Sequence, residues 1–314
     1  MSLLFFLACS TGPSAPPPTH AAEAAAERAW RIAQARGDAQ LEYLAAAQIG
    51  VRQAALGLHA DGRVSLLAAA RASEAAGDNY VLASSLSSLA DVERKLGMYA
   101  EAEATLSRAL SILRTIGRTR SEAIAWIHLG LLHGVLESTD EARRAFLYAA
   151  MLLRRCGPPR LLANALLNLT IVSILEHRAF EASCHADEAV AIGATTGDTE
   201  AAISIRIVAA TAWILAGRID EGLPILGPAL DQVRALSAAP QLLNCVMLAL
   251  LGWEAAGDHE RLARGLAEAR TLAEATRNEA PVVRRTLDGL ESRMRALTTG
   301  WSTRTPRLRP RRRG

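Results

Sequence analysis

A chain of 314 residues can bury a large core, and its length alone would suit two domains. Alanine fills 63 positions, aromatic residues make up only 4%, and period-two runs of β-branched residues are absent, which excludes a sheet-based fold and points to helix. The formal charge is +3, but the six arginines from Arg304 to Arg313 carry all of it, so the body is mildly acidic and no nucleic-acid partner is expected.

The chain begins with an apolar stub, "LLFFLAC", followed by a polar, proline-rich stretch from Ser10 to Thr19. The stub resembles the end of a bacterial lipoprotein signal, in which a small residue precedes a cysteine that is lipidated after cleavage. Ala8 and Cys9 fit that pattern, Phe6 stands where leucine is usual, and no Arg or Lys precedes Cys9. The resemblance implies an envelope lipoprotein attached to the membrane through Cys9, with residues 1–19 as signal remnant and tether. The alternative is an accidental likeness in a cytoplasmic protein.

From His20 onward the sequence keeps a 40-residue clock. Gly37, Gly77, Gly117, Gly157 and Gly197 share one phase, and Gly57, Gly97, Gly217 and Gly257 lie half a period away. Glycine after an amphipathic segment is a helix stop, because it adopts the left-handed conformation other residues resist. Ala29, Ala69, Ala109, Ala149, Ala189, Ala229 and Ala269 fall on a second phase. A small residue at a recurring position marks a helix crossing repeated along a stack. Glu101, Glu141, Glu181 and Glu221 open the second helix of successive units, where acidic residues suit the positive end of the helix dipole. These spacings predict an all-α fold of antiparallel hairpins with units at 39–78, 79–118, 119–158, 159–198, 199–238 and 239–278, within a repeat domain over 20–298. A capping helix is expected at 279–298 and a disordered arginine-rich tail at 299–314.

The stretch from Leu86 to Ile112, "LSSLADVERKLGMYAEAEATLSRALSI", resembles a tetratricopeptide repeat: Leu89, Ala90, Leu96, Gly97, Tyr99, Ala102, Leu106 and Ala109 match that family's packing positions. The 40-residue period is similar to the long repeats of kinesin light chains. This resemblance implies a right-handed superhelical solenoid whose first helices line a concave groove. It also implies a non-catalytic scaffold that binds a protein or peptide partner in the groove, and a cytoplasmic module of a bacterial signalling or transcription-regulatory system, sensing a peptide or regulatory protein, is the alternative use. Departures are expected in two places. Pro224 and Pro228 should kink the second helix of the 199–238 unit or delay its start, and His133 and His177 stand near turns where other units carry glycine, so those turns are expected to differ in shape.

Read at matching phase, the first helices present Ala47, Ser87, Ile127, Leu167, Ile207 and Met247 in one column, Val51, Asp91, Leu131, Ile171, Thr211 and Leu251 in a second, and Gln48, Ser88, His128, Asn168, Val208 and Leu248 in a third. If these columns face the groove, it takes an apolar or amphipathic segment, with Asn164 and Asn168 holding the segment's backbone. The same columns arise if the first helices are simply core. No phosphate loop, nucleophile elbow or zinc signature is found, so no catalytic residue, metal, cofactor or small-molecule substrate is assigned. The nearest cluster, Glu176, His177, Cys184, His185, Asp187 and Glu188, spreads over different helical faces. Cys156, Cys184 and Cys245 read as buried free thiols.

Overall fold

The computed structural model describes residues 28, 30–33, 35–236, 239–275 and 281–302. The proposed lipidation site Cys9, the tether, Ala29 and the arginines of the tail lie outside them. After a helical stretch ending at Arg36 come six hairpins. They are α1 (Ala39–Ala55) with α2 (His59–Ala75), α3 (Asn79–Lys95) with α4 (Tyr99–Thr115), and α5 (Thr119–Val135) with α6 (Thr139–Cys156). Then come α7 (Pro159–Leu175) with α8 (Ala179–Gly193), α9 (Thr199–Leu215) with α10 (Ile219–Leu236), and α11 (Ala239–Ala256) with α12 (His259–Ala275). The last helix, α13 (Pro281–Ser302), runs past the expected end at 298, since the next proline is Pro306.

The Gly-Asp pairs explain the clock residue by residue. Gly37, Gly77, Gly197 and Gly257 end one helix with φ between 63° and 71°, and the following aspartate starts the next. Asp38, Asp78, Asp198 and Asp258 each accept from the amide three residues on, at 3.0–3.1 Å. Two turns depart from the pattern. Glu137 and His177 take the glycine place and its left-handed conformation, with φ of 61° and 57°. The turn shape is therefore kept and the residue strained, a correction to the expected change of shape. His133 lies inside α5 and not in a turn. Gly157 belongs to the clock in sequence only. Its backbone is extended (φ −92°, ψ 156°), and Pro158 and Pro159 lead directly into α7.

Pro224 and Pro228 do not delay the start of their helix. Helix α10 starts on time at Ile219 and contains both prolines. Both rings are exposed, so the carbonyls of Asp220 and Pro224, which lose their intrahelical donors, are on the solvent face.

Each first helix packs on its hairpin partner, and each second helix on the first helix that follows. First helices also touch one another, at α1/α3, α3/α5, α7/α9 and, most closely, α9/α11. The alanine phase sits at the tightest crossings: Ala69, Ala109, Ala149, Ala189, Ala229 and Ala269 are at most 3% exposed. The second helices are tied across units by ion pairs at a spacing of 34. These are Arg108 with Glu74, Arg154 with Glu188 at 2.6 Å, and Arg234 with Glu268 at 2.5 Å. The whole is a right-handed superhelical solenoid with the first helices on its inner side.

Candidate partner-binding surface

The inner wall is open at one end of the solenoid and sealed in the middle. Along one column of first-helix positions, Val51 is 41% exposed and Asp91 half-buried, whereas Leu131, Ile171 and Thr211 are 4%, 1% and 0% exposed. The neighbouring column is closed from Ser87 onward, through Ile127, Leu167, Ile207 and Met247. The closure comes from the first helices themselves. In α7 every residue from Ala165 to Leu175 is buried, and the Thr211 hydroxyl donates to the Leu248 carbonyl of the next first helix at 3.4 Å. A helix that is apolar all round satisfies all its neighbours at once and leaves no face for solvent.

Most of the sequence-derived groove residues lie in the interior, as in the core reading of the same columns. Ile127, Leu131, Leu167, Asn168, Ile171, Ile207 and Met247 are core side chains in the free chain. Only His128 and Asn164 of the nine keep partial exposure. The two asparagines are engaged with each other: Asn168 Nδ2 donates to the Asn164 carbonyl at 2.8 Å and approaches its Oδ1 at 3.3 Å. Asn168 Oδ1 is buried without a partner.

At the open end the wall is polar and charged. On α3, Asp91 Oδ1 accepts from Arg94 Nη2 at 2.7 Å and Nε at 3.2 Å, and Asp91 Oδ2 pairs with Lys95 Nζ at 2.9 Å. His128, on α5, brings Nδ1 within 3.0 Å of the Ser87 carbonyl, one turn before Asp91, so Nδ1 carries the proton and donates. Burial alone would raise the Asp91 pKa; the charges of Arg94, His128 and Lys95 outweigh it and hold the carboxyl well below the usual carboxylate range. Burial lowers the His128 pKa, against the pull of Asp91, and lowers that of His59, aided by Lys95. Arg94 is 7% exposed, while Lys95 is exposed. The result is a cluster of one carboxylate and two cations, in which the lysine, paired with Asp91, is the more exposed cation.

Sequence reasoning placed Asp91 in a groove column but passed over Arg94 and Lys95. Their signal was present as opposite charges at i+3 and i+4 on one helical face.

Elsewhere, Cys184 is exposed and not buried as expected, because it lies on the outer face of α8. Cys245 is buried, and burial pushes its thiol up to about 12. Among the described residues no group of three metal-ligating side chains is assembled, and no helix is long and apolar enough to cross a membrane.

No protein-family model matches the chain, and no curated protein matches it. Solved structures do. A Rap protein complexed with Competence and Sporulation Factor is 16% identical with a TM-score of 0.55, over 82% of this chain and 76% of that one. The apo quorum sensor NprR from B. thuringiensis is 14% identical with a TM-score of 0.57, over 86% and 82%. A signal transduction ATPase from Pyrococcus horikoshii with a tetratricopeptide repeat sensor is 16% identical with a TM-score of 0.54, over 84% and 47%. The fold is a tetratricopeptide-like solenoid. At these identities the likeness concerns architecture, and within that solenoid the inner wall of this chain is most accessible at its first two hairpins, with partial exposure again at Asn164 and Leu251.

Proposed function

We propose that the chain is a non-catalytic scaffold that binds a partner peptide or helix on the inner wall of its first two hairpins. The observation that carries this reading is the exposure along one column of the wall, greatest at Val51 at 41%, falling to 0% at Thr211 and only partly regained at Leu251. An amphipathic segment suits the open end, where α1 presents the apolar Leu44 and Val51 and α3 the charged pair Asp91 and Lys95. A use in signalling is the second reading. It is favoured by the architectural likeness to a quorum sensor and to a Rap protein solved with its factor. The test is affinity capture with the intact chain in parallel with Val51→Asp, Lys95→Glu and, as a control on the outer face, Glu260→Lys. Partners should be retained by the control and lost by the two wall variants. Equal recovery by all three variants would reject the wall as the binding surface.

A further inference from the structure

The outer face of α6 differs from that of the other second helices. Leu147, Tyr148 and Met151 are 37%, 48% and 46% exposed and lie together on one stripe. The equivalent positions are Ser107, Arg108 and Ser111 on α4, Asp187, Glu188 and Ala191 on α8, and Ala267, Glu268 and Thr271 on α12. Tyr148 also interrupts the ion-pair ladder between second helices. Where another rung would stand, it stacks on Trp126 at 5.1 Å, and Arg114 covers the other aromatic at 5.1 Å and pairs with Glu122.

The charges at the ends of this stripe are complementary to each other. Asp140 and Glu141 begin the helix, with side chains 70% and 46% exposed and each also paired within the helix, to Arg143 at 3.3 Å and to Arg144 at 2.7 Å. Arg154 and Arg155 end it, and Arg155 is exposed and pairs with no described residue. A two-fold axis across the stripe lays two such helices antiparallel. In one register Asp140 of each copy meets Arg155 of the other, Leu147 meets Tyr148, and the Arg144 stem covers Met151. Isologous contacts of this kind satisfy both copies with a single surface, and the antiparallel helix dipoles agree with it.

We propose that the outer face of α6 is a self-association surface whose occupant is α6 of a second copy of this chain. It goes beyond the inner-wall reading and does not depend on it. The face of one helix falls short of the roughly 800 Å² per partner of a standard interface, so a weak, reversible dimer is expected; area does not set affinity, and dissociation on the order of 10 µM is the working value.

Sedimentation velocity of the full chain from ~1 to ~200 µM, a range bracketing that constant, reads the outcome. The wild type should pass from monomer to dimer, and Tyr148→Asp should stay monomeric with an unchanged helical circular dichroism spectrum. The charge register has its own test. Asp140→Arg and Arg155→Asp should each weaken the dimer at least tenfold, and an equimolar mixture of the two should recover it as a heterodimer, since both contacts are then restored. A wild type monomeric throughout would overturn the proposal and leave the stripe to a different protein. A dimer indifferent to Tyr148→Asp would place self-association on another face and overturn it equally.

Discussion

Gly130→Ala and Gly289→Ala make the same chemical change inside two helices and should shift stability in opposite directions. A Cβ at Gly130 would lie 2.6 Å from Phe146 Cε1 and 2.8 Å from its Cδ1 and Cζ. Ordinary carbon contacts are about 3.5–4.0 Å, so the ring must move by roughly 1 Å. Phe146 is 0% exposed and packed on all sides, so it has nowhere to go. Overpacking of this kind costs about 2–3 kcal/mol, against about 1 kcal/mol gained from the better helix propensity of alanine. The expected net effect of Gly130→Ala is a loss of about 1–2 kcal/mol. At Gly289 the nearest atom is Arg293 Nη1 at 3.7 Å, an ordinary contact at the end of a flexible side chain. Only the propensity gain applies there, and Gly289→Ala should stabilise by about 0.5–1 kcal/mol. Urea titrations followed by circular dichroism at 222 nm give both shifts. A Gly130→Ala protein as stable as the wild type would refute the close crossing of α5 and α6.

Three further outcomes follow from the turns and the charge cluster. Glu137→Gly and His177→Gly should each stabilise by about 0.5–1 kcal/mol, because glycine relieves the left-handed strain at more than the cost of its unfolded-state freedom; thermal melts that fall instead would show that these side chains hold their turns by contacts. Asp91→Asn should cost about 2–3 kcal/mol, since it leaves the buried Arg94 guanidinium without its carboxylate, and Arg94→Met in the same background should recover part of it. A double-mutant cycle with no coupling would contradict the pair. The pH dependence follows from His59, His128, His133 and His185, all with folded pKa values lowered first by burial. The unfolded chain then binds more protons below about pH 6.5, so their contribution is intact above that value and is lost as pH falls toward their folded pKa values. Stability curves at pH 7.5 and 5.5 should show the decline, and His128→Gln should shrink it.

The reassignment of the inner wall changes how binding can be tested. Substituting Asp for Leu167 or Ile207 would place a charge in the core and report on folding, whereas Val51 and Lys95 are accessible and report on binding.

The repeat architecture was legible because its signals are local. A glycine that must take φ near 70°, the aspartate after it that accepts the next helix's amide, and an alanine at each hairpin crossing are set by backbone geometry within a few residues. Which helix of each hairpin faces inward was implied by the resemblance to the tetratricopeptide repeat and not by the spacing itself. The sequence did not distinguish a groove from a core. Helix α7 is apolar on every face, and whether Leu167 and Ile171 meet solvent or a neighbour depends on how closely successive first helices approach, which no single unit encodes. The same holds for Glu137 and His177. Neither residue prefers the left-handed region, and only the hairpins packed on either side hold them there, so the shape of those turns was decided by tertiary structure.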